Sequence, residues 1–425
     1  MQEIKKINLS LEWNDVVLKD VLSEKGYIRG PFGSALKRAE MKSEGIPVYE
    51  QQNAIYDNRI FRYYINEEKY QSLKRFTTYT DDLIISCSGT VGKVSIIKHD
   101  DPKGIISQAL LTLRVNKDLI LPEFLKYFFS SYEGYNSLVS RATGSVQVNI
   151  SKRAVIEEIP LKLPPLDVQR KIVHYLSLID KKIETNEKIN KNLDELCHSL
   201  FKYYFIDFIP FCDDDFIDSD IGEIPKEWSI TTVGNILDCK LGGTPSRSNE
   251  SYWGGSIAWI NSGKVNDFRI IEPSEYITEK GLKKSATKLL PAKTTVIAIT
   301  GATLGQISLL EIDSCANQSV IGIIPNINYP YEFVYPLISS ILIDLLKHQT
   351  GGAQQHINKN NVESFKIICP PAEIISEYKT IVSPIYSKIS DNCFEIEKLQ
   401  KLRDTLLPKL MSGEIDVSKI NCDLE

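Results

Sequence analysis

The chain has 425 residues, 42% hydrophobic and 25% charged, with a net charge of −5; it is too long for one ordinary core, and its composition is that of a soluble globular protein of two or more domains. The mild negative charge argues against indiscriminate nucleic-acid binding but leaves room for local basic faces. No apolar run approaches the roughly 18 residues of a membrane span, the opening MQEIKKINLSLEWND has no apolar signal core, and eight singly scattered cysteines fit free thiols better than a zinc site or disulfide framework, so a cytoplasmic location is expected.

Taken in chain order, the elements occur twice. LEWNDVVLKDVL (residues 11–22) recurs as KEWSITTVGNIL (226–237), pairing Trp13 with Trp228. IPVYEQQNAIYDN near Ile46 recurs as IAWINSGKVNDF near Ile257. DLIISCSGTVGKVSII (82–97) and TVIAITGATLGQISLL (295–310) read as hairpins around glycine-containing turns. Gln108 then matches Gln318, and each half continues into one predicted helix, LPEFLKYFFSSYEGYNSLVS or YPYEFVYPLISSILIDLLKH. TGSVQVNISK (143–152) and TGGAQQHINK (350–359) follow, then Pro164-Pro165 and Pro370-Pro371. The offset drifts from 215 (Trp13 to Trp228) to 206 (Pro164 to Pro370), as loop insertions in a diverged tandem duplication would produce.

Beyond each Pro-Pro pair lies a long helical pattern with a heptad seam. The first seam is Ile172, Leu176, Ile179, Ile183, Asn186, Asn190, Leu193, Cys197, Leu200 and Tyr204. The second is Tyr378, Val382, Ile385, Ile389, Asn392, Ile396, Leu399, Arg403, Leu406 and Leu410. Matched seams predict two helices packed on each other, although homodimerisation would also use them. About 40 residues would span about 60 Å. Pro384 should kink the second helix or start a fresh one. Asn186 and Asn392, at the same seam position, either fix register or face solvent.

The expected fold is therefore α+β, with two similar sheet-rich α/β domains separated by two long helices packed as an antiparallel coiled coil, related by a pseudo-two-fold internal repeat. The segments are domain one (1–163), helix one (164–207), a linker (208–223), domain two (224–369), helix two (370–412) and a tail (413–425).

Catalytic chemistry is absent from the sequence. SGTVGKV lacks both the leading glycine and the Ser/Thr of a phosphate loop. The five histidines form no metal spacing, and no GxSxG or HExxH stretch occurs. A binding module is expected, with no catalytic residue, metal or cofactor. Two classes fit: a DNA reader, whose duplicated halves mirror the local symmetry of a duplex, and a coiled-coil scaffold whose end domains bind proteins or other ligands. For the DNA reader, Arg and Lys suit guanine, and Asn and Gln suit adenine. The candidates in half one are Arg29, Lys37, Lys93, Arg141, Gln147, Asn149 and Lys152. In half two they are Arg247, Lys264, Lys284, Gln306, Gln354, Gln355, His356 and Lys359. Gln108 and Gln318 are expected to make buried structural hydrogen bonds, and Trp13 and Trp228 to pack the first strand of each domain.

A tryptophan start, the GTVGKV/GATLGQI hairpin, an internal Gln, TGSVQVNIS, LPPLDVQRKIVHYLSLIDKKIETN and the ending LQKLRDTLLPKLMSGEI appear in an order that resembles the specificity subunit of type I restriction–modification enzymes, over nearly the whole chain. The resemblance implies two target-recognition domains, each reading half of a bipartite double-stranded DNA site. It implies that the helices set the spacer and dock two methyltransferase (M) subunits, and that restriction (R) subunits join that complex. This chain would supply neither S-adenosylmethionine binding nor cleavage. The outward helix faces at Lys181, Lys188, Glu195, Lys388, Glu395 and Lys401 are candidates for M-subunit docking. Half two departs from the pattern at Ile375, where half one keeps Gln169.

Overall fold

A computed structural model describes residues 13–32, 35–141, 148–347 and 356–420. It divides into two compact units, residues 1–181 with 399–425, and residues 182–398. Each unit combines a mixed α/β body with a stretch of both long helices.

The two bodies share a strand plan. In the first unit a four-stranded antiparallel sheet runs in the order Leu22–Arg29, Leu110–Val115, Leu83–Ser86, Val94–Ile96. Its counterpart in the second unit runs Asp238–Leu241, Val320–Ile324, Thr295–Ala298, Ile307–Leu309. The central strands are mostly apolar and buried along nearly their whole length, and so lack alternation. A smaller sheet pairs Ile46–Tyr49 in parallel with Ile105–Ile106, and Trp253–Ile260 in parallel with Ser314–Ala316. A two-stranded ribbon closes each body, Asn14–Val17 against Pro160–Leu163 and Ser229–Thr232 against Lys366–Cys369. Both hairpins stand where the sequence places them. The mixed α/β, sheet-rich, internally repeated fold is thus present.

Three local expectations are corrected. The helix expected over LPEFLKYFFSSYEGYNSLVS is two helices, Pro122–Ser130 and Tyr132–Leu138. Ser131 caps the second through a bond from the Gly134 N–H at 3.1 Å, and a Cβ on Gly134 would lie 2.0 Å from the Phe128 carbonyl. Second, Pro384 does not start a fresh helix, because Ala372–Met411 is unbroken. The proline is exposed, and Val382 and Tyr386 on either side are buried. Third, Gln108 and Gln318 are exposed rather than buried, because the chain leaves the strand before reaching them.

Each long helix, Leu166–Phe205 and Ala372–Met411, has 40 residues, about 60 Å at 1.5 Å per residue. No seam position is exposed. In the first unit Ile172, Leu176 and Leu410 are buried, and Ile179, Leu399 and Leu406 half-buried. The second unit buries Ile183, Asn186, Cys197, Tyr378, Val382, Ile389 and Asn392, with Leu193, Leu200, Ile385 and Ile396 half-buried. Within the second unit the two helical stretches run antiparallel. Asn186 Nδ2 donates to Glu395 Oε2 and Asn392 Nδ2 to Asn190 Oδ1, both at 2.8 Å, and Tyr378 Oη donates to the Cys197 carbonyl at 3.4 Å. The seam asparagines therefore face inward. Glu395, expected outward, is half-buried and bonded to Asn186.

Each body is packed onto its helical stretch. In the first unit Tyr127 Oη donates to Asp180 at 2.7 Å, and Arg403 pairs with the same carboxylate at 3.1 Å. Gln169, fully buried, accepts from the Leu121 N–H at 2.9 Å and donates to the Leu119 and Pro164 carbonyls at 3.0 and 2.8 Å. It ties the loop before Pro122 to the helix start. Ile375 replaces it in the second unit with buried apolar contact. Trp228 packs among Phe205, Phe208 and Phe211 at centroid distances of 6.0, 5.3 and 5.2 Å, and Trp13 against Gly413, so both tryptophans are packing residues.

Candidate nucleic-acid interface

Strand direction brings several chain segments to one end of each body. In the first unit Leu22–Arg29 and Leu83–Ser86 both end beside the start of Leu110–Val115. The Gly30 N–H donates to the Leu110 carbonyl at 3.0 Å, and the Cys87 N–H to the Ala109 carbonyl at 2.9 Å. The parallel strands end at the same edge, where the Ser107 N–H donates to the Tyr49 carbonyl at 2.8 Å. The second unit repeats this closely. Gly242 N–H bonds Val320 O at 3.0 Å, Ile299 N–H bonds Ser319 O at 2.9 Å, and Asn317 N–H bonds Ile260 O at 3.0 Å.

Glycine is required at the junction. A Cβ on Gly30 would lie 2.0 Å from the Ser107 carbonyl oxygen, and one on Gly242 would lie 2.2 Å from the Asn317 carbonyl oxygen. The backbones touch there, which pushes the following Gln108 and Gln318 outward. Gln318 Oε1 accepts from Thr244 Oγ1 at 2.5 Å.

The polar residues at the first unit's strand ends are under-satisfied. Arg29 Nη1, Gln51 Oε1 and Ser107 Oγ are buried and have no hydrogen-bond partner among the described residues. Native interiors pair nearly all such atoms, so three unmet atoms at one edge mark a place suited to polar recognition. Arg29 lies 5.7 Å from the ring of Phe32, which is 67% exposed. Burial pushes the Cys87 thiol up to about 11, so it stays neutral beside Arg29. Gln51 lies against the hairpin, its Nε2 3.5 Å from where a Cβ on Gly89 would be.

The hairpin tips stand at this same end. Gly92 and Gly305 have φ of 82° and 83°, open to glycine at little cost. Each is followed by an exposed polar residue, Lys93 or Gln306. Neither side chain has a hydrogen-bond or ionic partner among the described residues.

The other sequence candidates fall into three groups. Lys37, Lys152 and Lys284 are exposed, Lys152 as the N-cap of the short helix Arg153–Glu157 and Lys284 as the C-cap of Glu279–Lys283. A second group is already engaged. Arg247 forms a two-pronged pair with Glu275 at 2.6 and 2.7 Å and stacks 3.6 Å from the Trp253 ring centroid. Lys264 pairs with Asp267 at 2.8 Å, and Lys359 with Glu363 at 3.1 Å. His356 is exposed, its backbone bridged to Thr300 beside the hairpin. In the third group, Gln147, Gln354 and Gln355 lie outside the described residues. The backbones of Arg141 and Asn149 belong to paired strands, Val139–Arg141 and Val148–Ile150, but their side chains are outside the description.

Phe32, Gln51, Ser107 and Thr244 are not among the sequence candidates. The available signal was the glycine at the end of the second strand, in RGPF and LGGT, which marks a close backbone approach in both halves. Among the described residues no group of His, Cys, Asp and Glu is arranged to hold a metal, and no helix is long and apolar enough to cross a membrane.

Comparison with known proteins gives a consistent match. The model of the type I restriction modification DNA specificity domain matches residues 11–195 and again 225–404, once per repeat. The chain is 28% identical over 311 residues to the type I restriction enzyme MjaIX specificity subunit of Methanocaldococcus jannaschii, covering 72% of each. It is 24% identical over 389 residues to the HindI specificity subunit of Haemophilus influenzae, covering 76% of this chain and 84% of that one. The crystal structure of the type I restriction–modification S subunit from M. genitalium shares the fold with a TM-score of 0.56 at 16% identity, covering 97% of this chain and 99% of the other.

Proposed function

Because the chain belongs to the type I restriction–modification DNA specificity family, we propose that it is the sequence-reading subunit of such a complex and reads a bipartite double-stranded site, one half per domain. The observation that carries this is the repeated strand-end face. The same backbone junction is built twice, at Gly30 and Gly242, with different side chains around it. A duplicated framework with diverged polar tips is what reading two different short sequences requires, since base edges are told apart by donor and acceptor pattern.

The long helices form an antiparallel coiled coil in this reading and set the distance between half-sites. The buried Asn190–Asn392 pair supports a fixed register, because the Asn392 Nδ2 to Asn190 Oδ1 bond forms only in one alignment of the seam. Their outer faces dock two methyltransferase subunits, with restriction subunits joining through that complex. Ile189, Leu196 and Tyr203, exposed at seven-residue spacing on the first helix, supply an apolar stripe for such docking, flanked by Lys188 and Glu195. Lys181 and Lys401 are exposed on the same two helices, as is Lys388. The chain itself contributes recognition and no chemistry, and acts in the cytoplasm.

Two measurements test the reading together. The chain with its methyltransferase should bind a duplex carrying the site with an affinity that falls linearly in log–log plots against salt. The isolated chain should not bind labelled S-adenosylmethionine. Clear cofactor binding, or indifference to duplex sequence, contradicts it.

A further inference from the structure

The hairpin-closing position offers one residue-level contrast between the two halves. In the first unit the Ser86 N–H donates to the Lys93 carbonyl at 2.9 Å, and the Gly92 N–H to the Ser86 carbonyl at 2.8 Å. In the second the Ala298 N–H donates to the Gln306 carbonyl and the Gly305 N–H to the Ala298 carbonyl, both at 2.9 Å. The glycines adopt the same left-handed backbone. Each is also pressed onto a helix of its own body. A Cβ on Gly92 would lie 2.8 Å from Tyr135 Cε2, and one on Gly305 would lie 2.8 Å from Leu346 Cδ1. Both tips are therefore held by closing hydrogen bonds on one side and by packing on the other. The exposure pattern continues alike, with exposed Lys93 and Gln306, then half-buried Val94 and Ile307, then buried Ser95 and Ser308. The two side chains leave equivalent frameworks in the same direction, and only their chemistry differs.

That difference matches a difference between bases. A lysine ammonium has three donors and no acceptor. In the major groove it suits guanine, whose N7 and O6 are both acceptors, and not adenine, whose N6 amino group presents a donor. A glutamine amide offers one acceptor and a donor pair, the complement of adenine N6 and N7. We propose that this position selects one base in each half-site, Lys93 a guanine in the first and Gln306 an adenine in the second. The assignment rests on the reading that each domain reads one half-site. Around Lys93 the strand ends add Arg29 together with the amides Gln51 and Gln108. Around Gln306 they add Thr244 and Gln318, which are uncharged.

The test uses the full chain assembled with its methyltransferase subunits, and methylation motifs read across a genome for wild type, Lys93→Gln and Gln306→Lys. Both positions are exposed, and circular dichroism and melting should show that the variants fold as wild type. In Lys93→Gln the first half-site should lose its guanine preference at one position by roughly ten- to hundred-fold and shift toward adenine, with the second half-site unchanged. Gln306→Lys should do the converse. If Lys93→Gln instead weakens binding to all sequences equally and lowers the salt slope by about one, Lys93 holds a phosphate and the assignment is overturned. It is also overturned if both motifs remain as in wild type. If the wild-type complex shows no bipartite motif at all, the underlying reading fails first, so the two failures are distinguishable.

Discussion

Asp194→Ala tests how the second body is held on its helical stretch. Arg269 is buried to its guanidinium, whose Nη2 reaches Asp194 Oδ1 at 2.8 Å. Its Nη1 donates to the Phe268 carbonyl at 2.8 Å and to Tyr335 Oη at 3.3 Å, while Nε has no partner among the described residues. Two unit charges about 4 Å apart interact by about 4 kcal/mol at an effective dielectric of about 20. Removing one member of a buried pair costs about 3–5 kcal/mol, because the remaining charge is stranded. Arg269 is the worse charge to strand, since Asp194 is 19% exposed and has His198 Nδ1 3.4 Å away. Asp194→Ala should therefore cost about 3–5 kcal/mol, and Arg269→Met less. The double variant Asp194→Leu/Arg269→Met should recover most of the loss. Trp228, Trp253 and Trp259 all lie in the second unit. Urea unfolding followed by fluorescence in a Trp13→Phe background therefore reports on this unit alone. An Asp194→Ala cost below about 1 kcal/mol, or a larger cost for Arg269→Met, would show that a stranded Arg269 charge does not govern this contact.

Gln169→Ala removes the partner of one buried N–H and two carbonyls and should destabilise the first unit by about 1–3 kcal/mol, read by Trp13 fluorescence in a chain with its other tryptophans replaced; a neutral result would show that the clamp is dispensable. Insertion of one heptad into both long helices adds about 10.5 Å at 1.5 Å per residue, or about three base pairs at 3.4 Å each. The methylated site should gain a spacer longer by about that amount, or recognition should be lost, with both half-site sequences unchanged. A changed half-site sequence would show that the helices do more than space.

What the sequence revealed was what is encoded locally or periodically. The hairpins are legible because Gly92 and Gly305 interrupt short apolar runs, and the long helices because their seams repeat every seven residues. Repetition added force, since each weak motif occurs twice in the same order. Errors came where tertiary context overrides a local rule. Pro384 does not start a new helix, because it lies inside one continuous helix, at its exposed side, between the buried Val382 and Tyr386. The break at Ser131 was readable as a serine cap and was masked by apolar residues on both sides. The strand-end site was least legible. Arg29, Gln51, Cys87 and Ser107 meet only because a parallel pair and an antiparallel sheet end at one edge, and pairings between distant segments leave no local trace. Gln108 shows the same limit, as its exposure depends on the close approach of Gly30.

In the proposed function this chain reads two different half-sites held at a fixed distance. The most direct measurement is the methylation motif of a genome expressing the chain with its methyltransferase subunits. An asymmetric adenine-methylated motif of two short specific blocks, separated by a constant non-specific spacer, is expected. A single continuous palindrome, or two identical blocks, would contradict it.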